Sequence, residues 1–333
     1  MVSNVVLAEN IKKDSLTMQT ETMYFVAAFY KFTKIQNTEN MQQDVKHLGE
    51  QFHIKGVFLI AEEGINATIA SSDEQSLHFF LEKVQRKFYF TNADVKFSTS
   101  KTQPFTKWRV RKKKEIVSLG VEDVDPNRCV GTYIKPKDWN DFIQNDDVVV
   151  IDVRNDYECV LGTFEGAVNP QTDTFREFPQ FVHEQLLGMK EKKIAMFCTG
   201  GIRCEKATSY LIQQGISPNN VFHLEGGILK YLEEVSKEES TYSGECFLFD
   251  RRISVVHGIK QGNIDDGLAK ICYACSYPLL LDDLQSEHYI EGVSCHRCYD
   301  KFTEEQKNRF RERQRQFNRA GDSHFTSNNE PSE

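Results

Sequence analysis

Residues 197–207, FCTGGIRCEKA, place a cysteine, two glycines and an arginine between an apolar run and a helical pattern. Cys198 ends the apolar run, and Arg203 precedes the expected helix. A strand-loop-helix junction points backbone N–H groups inward and adds the positive end of the helix dipole, so it favours a bound anion. A thiol at such a junction ionises readily and becomes nucleophilic. The segment therefore predicts a reactive Cys198 in an anion cradle, against the alternative of an inert buried cysteine.

The loop of this junction comprises Thr199, Gly200, Gly201 and Ile202. The two glycines permit a tight backbone curve and leave room for a bound anion. Ligands of open α/β sheets bind at the carboxyl ends of the strands, which is where this loop should lie.

The sequence on both sides of the loop alternates short apolar runs with helical patterns. Expected strands include VVVIDVR at 148–154, KIAMFC at 193–198 and NVFHLEGG at 220–227. Helices are expected at 137–144, 175–187, 206–214 and 228–234. Continuous apolar strands alternating with helices indicate a parallel sheet covered on both faces. Residues 132–235 are therefore predicted to form an α/β domain.

The N-terminal part of the chain follows a different plan. After an extension at 1–22, residues 23–115 give the order β-α-β-β-α-β, with a turn at AEEGIN, 61–66. This order is typical of the ferredoxin-like (acylphosphatase-like) α+β fold, an antiparallel sheet with two helices on one face. The basic segment around Arg111 is expected to leave this domain as a strand or arm.

The Cys198 loop resembles the active-site loop of rhodanese domains, a cysteine, four residues and an arginine. The resemblance covers 132–235 and extends to WNDFI, the VVVIDVR strand and VFHLEGGI. It implies that Cys198 accepts a sulfane sulfur as a persulfide. It also implies that Asp152 and Arg154 form a supporting acid–base pair, whereas the conservative alternative leaves both at the exposed end of a strand.

Three motifs that follow one another along the chain indicate a more specific family among rhodanese-containing proteins. They are GVFLIAEEGINATIA at 56–70, the Cys198 loop, and GECFLFDRRISV at 244–255 followed by paired CxxC motifs. Together, over about residues 24–299, they resemble the bacterial oxygen-dependent tRNA uridine(34) hydroxylase family, which contains a rhodanese domain. The resemblance implies conversion of the wobble uridine of tRNA to 5-hydroxyuridine, dependent on the loop cysteine, with molecular oxygen as a substrate. Neither a nicotinamide nor a flavin is implied, because no GxGxxG follows a strand.

The C-terminal part, 242–319, is expected to be a small cysteine-rich module, and residues 320–333 a disordered tail. Two CxxC pairs lie 19 residues apart, matching the spacing of a structural zinc site. Four thiolates would complete the tetrahedron, so the metal would stabilise the fold and leave no position open for catalysis. The alternative is four reduced thiols without metal. The predicted ligands are Cys272, Cys275, Cys295 and Cys298.

The other cysteines and two histidines have less specific interpretations. Cys204 directly follows Arg203, and either resolves an oxidised Cys198 as a disulfide or packs under the loop. We interpret Cys129, Cys159 and Cys246 as packing cysteines. His257 and His296 are expected to be structural rather than metal ligands.

The charge distribution indicates a nucleic-acid partner despite a net charge of −8. Residues 101–114 hold seven basic residues and no acid, and residues 307–319 hold six against one acid. A basic strand with an aromatic suits a single-stranded anticodon loop, since bases stack on aromatics and phosphates attract cations. The alternatives are a solvated charged face and, for Trp108, a core anchor. The candidate tRNA-binding residues are Lys107, Trp108, Arg109, Arg111, Lys112, Lys113 and Lys114.

Length and hydropathy exclude several classes of protein. The 333 residues suit about two domains and a small module. The apolar runs are far shorter than the roughly 20 residues of a membrane helix, and no signal peptide is recognised, so a cytoplasmic protein is expected. The leading hypothesis is a tRNA hydroxylase. A sulfurtransferase that passes a Cys198 persulfide to a small thiol or a protein acceptor, and an RNA-binding scaffold, are the alternatives.

Overall fold

The computed structural model describes residues 22–88, 95–262 and 268–319. The expected N-terminal extension, apart from Thr22, and the expected disordered tail lie outside the described residues. Among the helices of the described part, none combines the length and apolar character that crossing a membrane requires.

The N-terminal domain has the predicted β-α-β-β-α-β order, followed by one more strand. Its elements are β1 Tyr24–Phe32, α1 Thr38–Gln51, β2 Lys55–Ala61, β3 Gly64–Ser71, α2 Glu74–Phe88, β4 Lys96–Ser100 and β5 Trp108–Lys112. The strand order is β4-β1-β3-β2-β5. The prediction of a wholly antiparallel sheet is wrong at one edge, because β5 pairs parallel with β2. The basic segment therefore stays in this domain as its fifth strand.

The core of the N-terminal domain lies between the helices and the sheet. Val45 of α1 and Phe80 of α2 are fully buried and join Phe58 and Ile60 of β2 in one apolar cluster. These side chains recur at helical and strand spacing, so the apolar sides of the helices and one face of the sheet cover each other.

The central domain is the predicted parallel sheet. Its strands are β6 Thr132–Ile134, β7 Val148–Asp152, β9 Lys193–Phe197 and β10 Val221–Leu224, in the order β6-β10-β9-β7. Its helices are α3 Pro136–Ile143, α4 Asp156–Cys159, α5 Phe178–Phe181, α6 Ile202–Gln213 and α7 Gly227–Glu234. A short strand, β8 Gly162–Phe164, pairs outside this sheet with a strand further along the chain.

Alternate residues of the central strands bury into two separate cores. Ile194 and Met196 join the cluster that contains α6, whereas Ala195 and Phe197 join the cluster that contains Trp139 and α7. A strand covered on both faces must be apolar at every position, which explains the uninterrupted runs in the sequence.

Two predicted helices of this domain differ from the structure. The pattern at 175–187 is not one helix: a 3-10 turn Phe175–Glu177 leads into α5, a π turn Val182–Leu186 and a 3-10 turn Leu187–Met189. Phe178, Val182 and Leu186 nevertheless remain buried, so the apolar spacing is satisfied by irregular turns. α6 begins at Ile202, four residues earlier than expected, and Arg203 therefore lies inside its first turn.

The C-terminal module packs against both preceding domains. Its elements are β11 Tyr242–Gly244, β12 Cys246–Phe247, β13 Ser254–Val256, β14 Lys260–Gln261, β15 Leu268–Ile271, β16 Pro278–Leu280 and α8 Glu304–Arg319. β11 pairs antiparallel with β8 of the central domain. Arg297 contacts Asp156 at 2.6 Å, and Arg252 donates to Ser98 of β4 at 2.6 Å. These contacts fix the module to the rest of the chain.

Candidate active site

The Cys198 loop lies at the carboxyl end of β9, as predicted, and is closed around the sulfur. The backbone N–H of Gly201 donates to Cys198 Sγ at 3.2 Å. Gly201 has a φ of 99°, a conformation that favours glycine and turns the loop directly into α6. The start of α7 holds the other side, because the N–H of Ile228 donates to the Cys198 carbonyl at 2.9 Å. The loop is thus fixed by two helix N-termini.

The environment of Cys198 favours the thiolate. The residue is fully buried, and burial alone would raise the pKa of its thiol. Interaction with the Cys204 thiol, the positive charge of Arg203 and the N–H groups of Cys204 and Gly201 outweigh burial and lower the pKa to about 6. A thiolate in this loop is a nucleophile at neutral pH.

Arg203 is held by a residue that the sequence analysis did not select. Its guanidinium donates to both carboxylate oxygens of Glu158, at 2.6 and 2.7 Å. Burial disfavours the charged guanidinium, but the Glu158 charge raises the pKa of Arg203. Thr199 Oγ1 lies 3.3 Å from Glu158 Oε1, which ties the loop to the same pair. Arg203 therefore acts on Cys198 through its charge, while its terminal N–H groups donate to Glu158 and Thr199.

A local signal in the sequence marks Glu158. Asn155 caps the short helix α4, and the Glu158 carboxylate accepts from the Asn155 N–H at 3.0 Å. The spacing Asn-x-x-Glu is a capping box. It predicts a helix start there, although it does not predict that the same carboxylate would also bind Arg203.

Asp152 and Arg154 form the expected pair, and both are fully buried. Arg154 donates to the two oxygens of Asp152 at 2.9 and 2.6 Å, and to the Gly162 carbonyl at 2.5 Å. The alternative that both lie at the exposed end of a strand is wrong. The pair joins the end of β7 to β8, beside Glu158, whose carbonyl also accepts from Arg154 at 3.4 Å.

Apart from Cys198 and the two CxxC pairs, the chain has four cysteines, of which three are buried and one is exposed. Cys204, Cys159 and Cys246 are buried, and burial raises the pKa of each thiol. Cys204 forms a side-chain hydrogen bond with Cys198, and its roles as a resolving thiol or as a packing residue stay predictions. Cys129 is exposed, and its interpretation as a packing cysteine is wrong.

The two CxxC pairs come together in the C-terminal module. The Sγ atoms of Cys272, Cys275, Cys295 and Cys298 all lie within 4.8 Å of one another. The Cys295 N–H donates to Cys298 Sγ at 3.3 Å, and Cys272, Cys295 and Cys298 are buried with Leu279 in one small apolar cluster. Four sulfur donors at this separation suit a tetrahedral zinc ion. His296 instead contacts Asp283 at 3.3 Å, and neither His296 nor His257 belongs to the group of four sulfurs.

The basic candidates for tRNA binding are divided between the two faces of β5. Trp108 packs edge-on against Phe80 in the core and donates to the Lys46 carbonyl at 3.0 Å, which matches its alternative as a core anchor. Lys112 is on the same side and pairs with Glu39 of α1. Strand alternation places Arg109 and Arg111 on the opposite face. Lys107 and Lys114 are exposed, and Lys113 is partly buried.

Comparison with known proteins decides the family of the chain. Residues 24–116 match the UPF0176 acylphosphatase-like domain, and residues 135–234 match the rhodanese-like domain. A tRNA uridine(34) hydroxylase from Teredinibacter turnerae is 48% identical over 91% of this chain and 92% of its own length. This chain belongs to the tRNA uridine(34) hydroxylase family. The expected fold class, with its acylphosphatase-like and rhodanese domains, is confirmed.

Solved structures resemble single domains of this tRNA uridine(34) hydroxylase family member. A rhodanese-like domain protein from Staphylococcus aureus is 24% identical over 30% of this chain and 90% of that chain, with a TM-score of 0.25. An acylphosphatase from Coxiella burnetii is 13% identical over 29% of this chain and 100% of that chain, with a TM-score of 0.23. At such TM-scores neither similarity bears on the function.

Proposed function

We propose that this protein hydroxylates the wobble uridine of tRNA at C5, using molecular oxygen and the Cys198 thiolate. The observation that carries the proposal is the buried Cys198 with a pKa of about 6 in a chain 48% identical to a tRNA uridine(34) hydroxylase. A buried thiolate is costly, and such perturbed groups are concentrated at functional sites.

The chemistry of uracil suggests what the thiolate does. C6 of uracil is electrophilic because the C5=C6 bond is conjugated with the C4 carbonyl. Addition of Cys198 Sγ to C6 would place electron density on C5, the carbon to be hydroxylated. The wobble nucleotide lies in a single-stranded loop, so its base can reach a buried sulfur once it is unstacked.

The other two modules have supporting roles in this proposal. Arg109 and Arg111 of β5 would contact the phosphates of the anticodon arm. The four-cysteine group would hold a structural zinc ion, which replaces an extended apolar core in a module of this size.

The decisive experiment is nucleoside mass spectrometry of tRNA from cells lacking this protein and any redundant hydroxylation pathway. Wild-type protein should restore 5-hydroxyuridine, whereas Cys198→Ser should not. Cys129→Ser removes an exposed cysteine that is not part of the Cys198 loop, and is the matched control. Unchanged uridine with wild-type protein, together with persulfide transfer from Cys198 to a thiol acceptor, would favour the sulfurtransferase instead.

A further inference from the structure

The N-terminal domain places a tyrosine over the Cys198 loop. Tyr30, near the end of β1, donates its hydroxyl to Glu205 Oε1 at 2.7 Å. Glu205 is in the first turn of α6, directly after Cys204. The Tyr30 oxygen also lies 2.9 Å from the position that a Cβ atom on Gly201 would take. Residue 201 must therefore be glycine for the hydroxyl to come this close to the loop.

Tyr30 and Glu205 form a buried hydrogen-bonded pair that interacts electrostatically with the Cys198 sulfur. Burial, the Glu205 charge and the nearby Cys198 sulfur all raise the pKa of Tyr30. Burial likewise raises the pKa of Glu205, although hydrogen bonds from Tyr30 and Tyr133 oppose it. The positive charges of Lys31 of β1 and Lys96 of β4 also interact with Glu205 and oppose the rise. A carboxylate with a raised pKa is a better proton acceptor than an exposed one.

We propose that Tyr30 and Glu205 form a proton relay for C5 of the uracil bound at Cys198, so that the N-terminal domain completes the active site. This inference rests on the proposed function. Replacing hydrogen by hydroxyl at C5 requires the loss of the C5 proton, and Cys198, once bonded to C6, cannot accept it. Tyr30 is the catalytic residue, and Glu205 acts through it as a positioning residue.

The relay step removes the C5 proton and releases Cys198 from C6. In the adduct, Cys198 Sγ is bonded to C6, and C5 carries both the new hydroxyl and its original hydrogen. The C5–H bond breaks, its electron pair re-forms C5=C6, and the C6–S electrons return to Cys198 as thiolate. The proton passes to the Tyr30 oxygen while the proton of Tyr30 moves to the Glu205 carboxylate. No electrons are gained or lost in this step.

The same relay should work without oxygen, which gives a test separate from hydroxylation. Cys198 adds to C6, and a solvent deuteron is delivered to C5 on the face opposite the relay. The relay then removes the original C5 hydrogen as Cys198 leaves, so the C5 hydrogen exchanges with solvent. Wild-type protein, an unmodified tRNA transcript with uridine at position 34 and anaerobic ²H₂O should yield uridine one mass unit heavier. Cys198→Ser should abolish this exchange.

Tyr30→Phe keeps the ring and removes the hydroxyl, so the exchange rate should fall about 100-fold, a typical contribution of a general acid–base group. Glu205→Gln should lower the rate similarly, although its amide oxygen still accepts from Tyr30 and preserves the contact between domains. Tyr210→Phe is the matched control, because Tyr210 is a buried tyrosine of the same helix that contacts His183 at 3.0 Å. Its exchange rate should equal that of wild type.

Exchange in Glu205→Gln within threefold of wild type would overturn the relay and leave only a structural contact, even where Tyr30→Phe fails to fold. A wild-type protein that hydroxylates uridine but exchanges no C5 hydrogen would also overturn it. Exchange by wild type without 5-hydroxyuridine in air would support the relay while removing the proposed hydroxylation.

Discussion

Glu158 binds both terminal nitrogens of Arg203 beneath the Cys198 loop, and the Glu158 side chain is fully buried. The two partners come from different parts of the chain, α4 and α6. Their pairing allows a buried guanidinium to stand close to Cys198 without an unpaired charge. The acidity of the cysteine therefore depends on a carboxylate that need not touch the substrate.

Glu158→Gln should destabilise the protein and lower its activity. Removing one partner of a buried ion pair leaves an uncompensated charge and costs about 3–5 kcal/mol. Thermal unfolding should therefore occur at a clearly lower temperature. Glu184→Gln, which changes an exposed glutamate, is the control and should leave the unfolding temperature unchanged. Equal unfolding temperatures for wild type and Glu158→Gln would contradict a stabilising role for this pair.

Activity should depend on pH through the ionisation of Cys198. Its pKa is lowered to about 6 in the folded protein, so the thiolate is present above that pH and is lost as the pH falls through it. The rate of 5-hydroxyuridine formation should therefore rise between pH 5 and pH 7 with a midpoint at about 6. Single-turnover assays across this range, with circular dichroism at each pH, provide the measurement. A midpoint above pH 8 would show that the loop does not favour the thiolate.

The same lowered pKa has a consequence for stability. Ionisation of Cys198 in the folded state contributes stability that is fully present above the ordinary thiol pKa and is lost as the pH falls through about 6. Cys198→Ser should remove that part of the pH dependence. Denaturant unfolding of both proteins at pH 5 and pH 8 tests the sign. The free energy of unfolding at pH 8 minus that at pH 5 should be smaller in Cys198→Ser than in wild type.

The C-terminal module should contain about one zinc ion per chain, since four thiolates bind one ion. Metal analysis of freshly reduced protein measures the stoichiometry. Cys295→Ser should lose the metal and loosen the module, whereas Cys129→Ser should retain it. Zinc-free protein whose module resists proteolysis as well as the native protein would show that four reduced thiols suffice.

Neutralising Arg109 and Arg111 should weaken tRNA binding and flatten its salt dependence. Each phosphate contact that is lost should reduce the slope of log affinity against log salt by about 1. Lys192→Gln with Lys193→Gln removes the same charge from the central domain and is the matched control. Equal slopes for both double variants would place the RNA contact elsewhere, with the arginines of α8 as the next segment to test.

The parts that could be predicted from the sequence are those with local causes. Apolar strands covered on both faces identify the parallel sheet, and the Cys198 loop follows from a cysteine, two glycines and an arginine within six positions. The paired CxxC motifs predict the four-sulfur group because the ligand spacing is short. Glu158 is intermediate, since its capping box is local but its contact with Arg203 is not.

The parts that were missed arise from contacts between distant segments. Tyr30 and Glu205 are 175 residues apart, and neither shows a local pattern of its own. β5 pairs parallel with β2 only because the chain crosses to the far edge of the sheet. The basic residues around Trp108 favour RNA binding, yet its ring is positioned by contacts with α1 and α2. Those contacts cannot be predicted from the basic segment alone.

Lys206, almost wholly buried in α6, donates to Glu63 at 2.8 Å and also contacts Glu115, both outside the central domain. Cutting the chain between residues 116 and 132 would leave this ammonium group in the excised C-terminal piece without either carboxylate. The same helix carries Cys204, Arg203 and Glu205. In an excised rhodanese fragment, water would therefore replace the two carboxylates around Lys206 at the start of α6. Activities measured on such a fragment would not represent the active site of the intact chain.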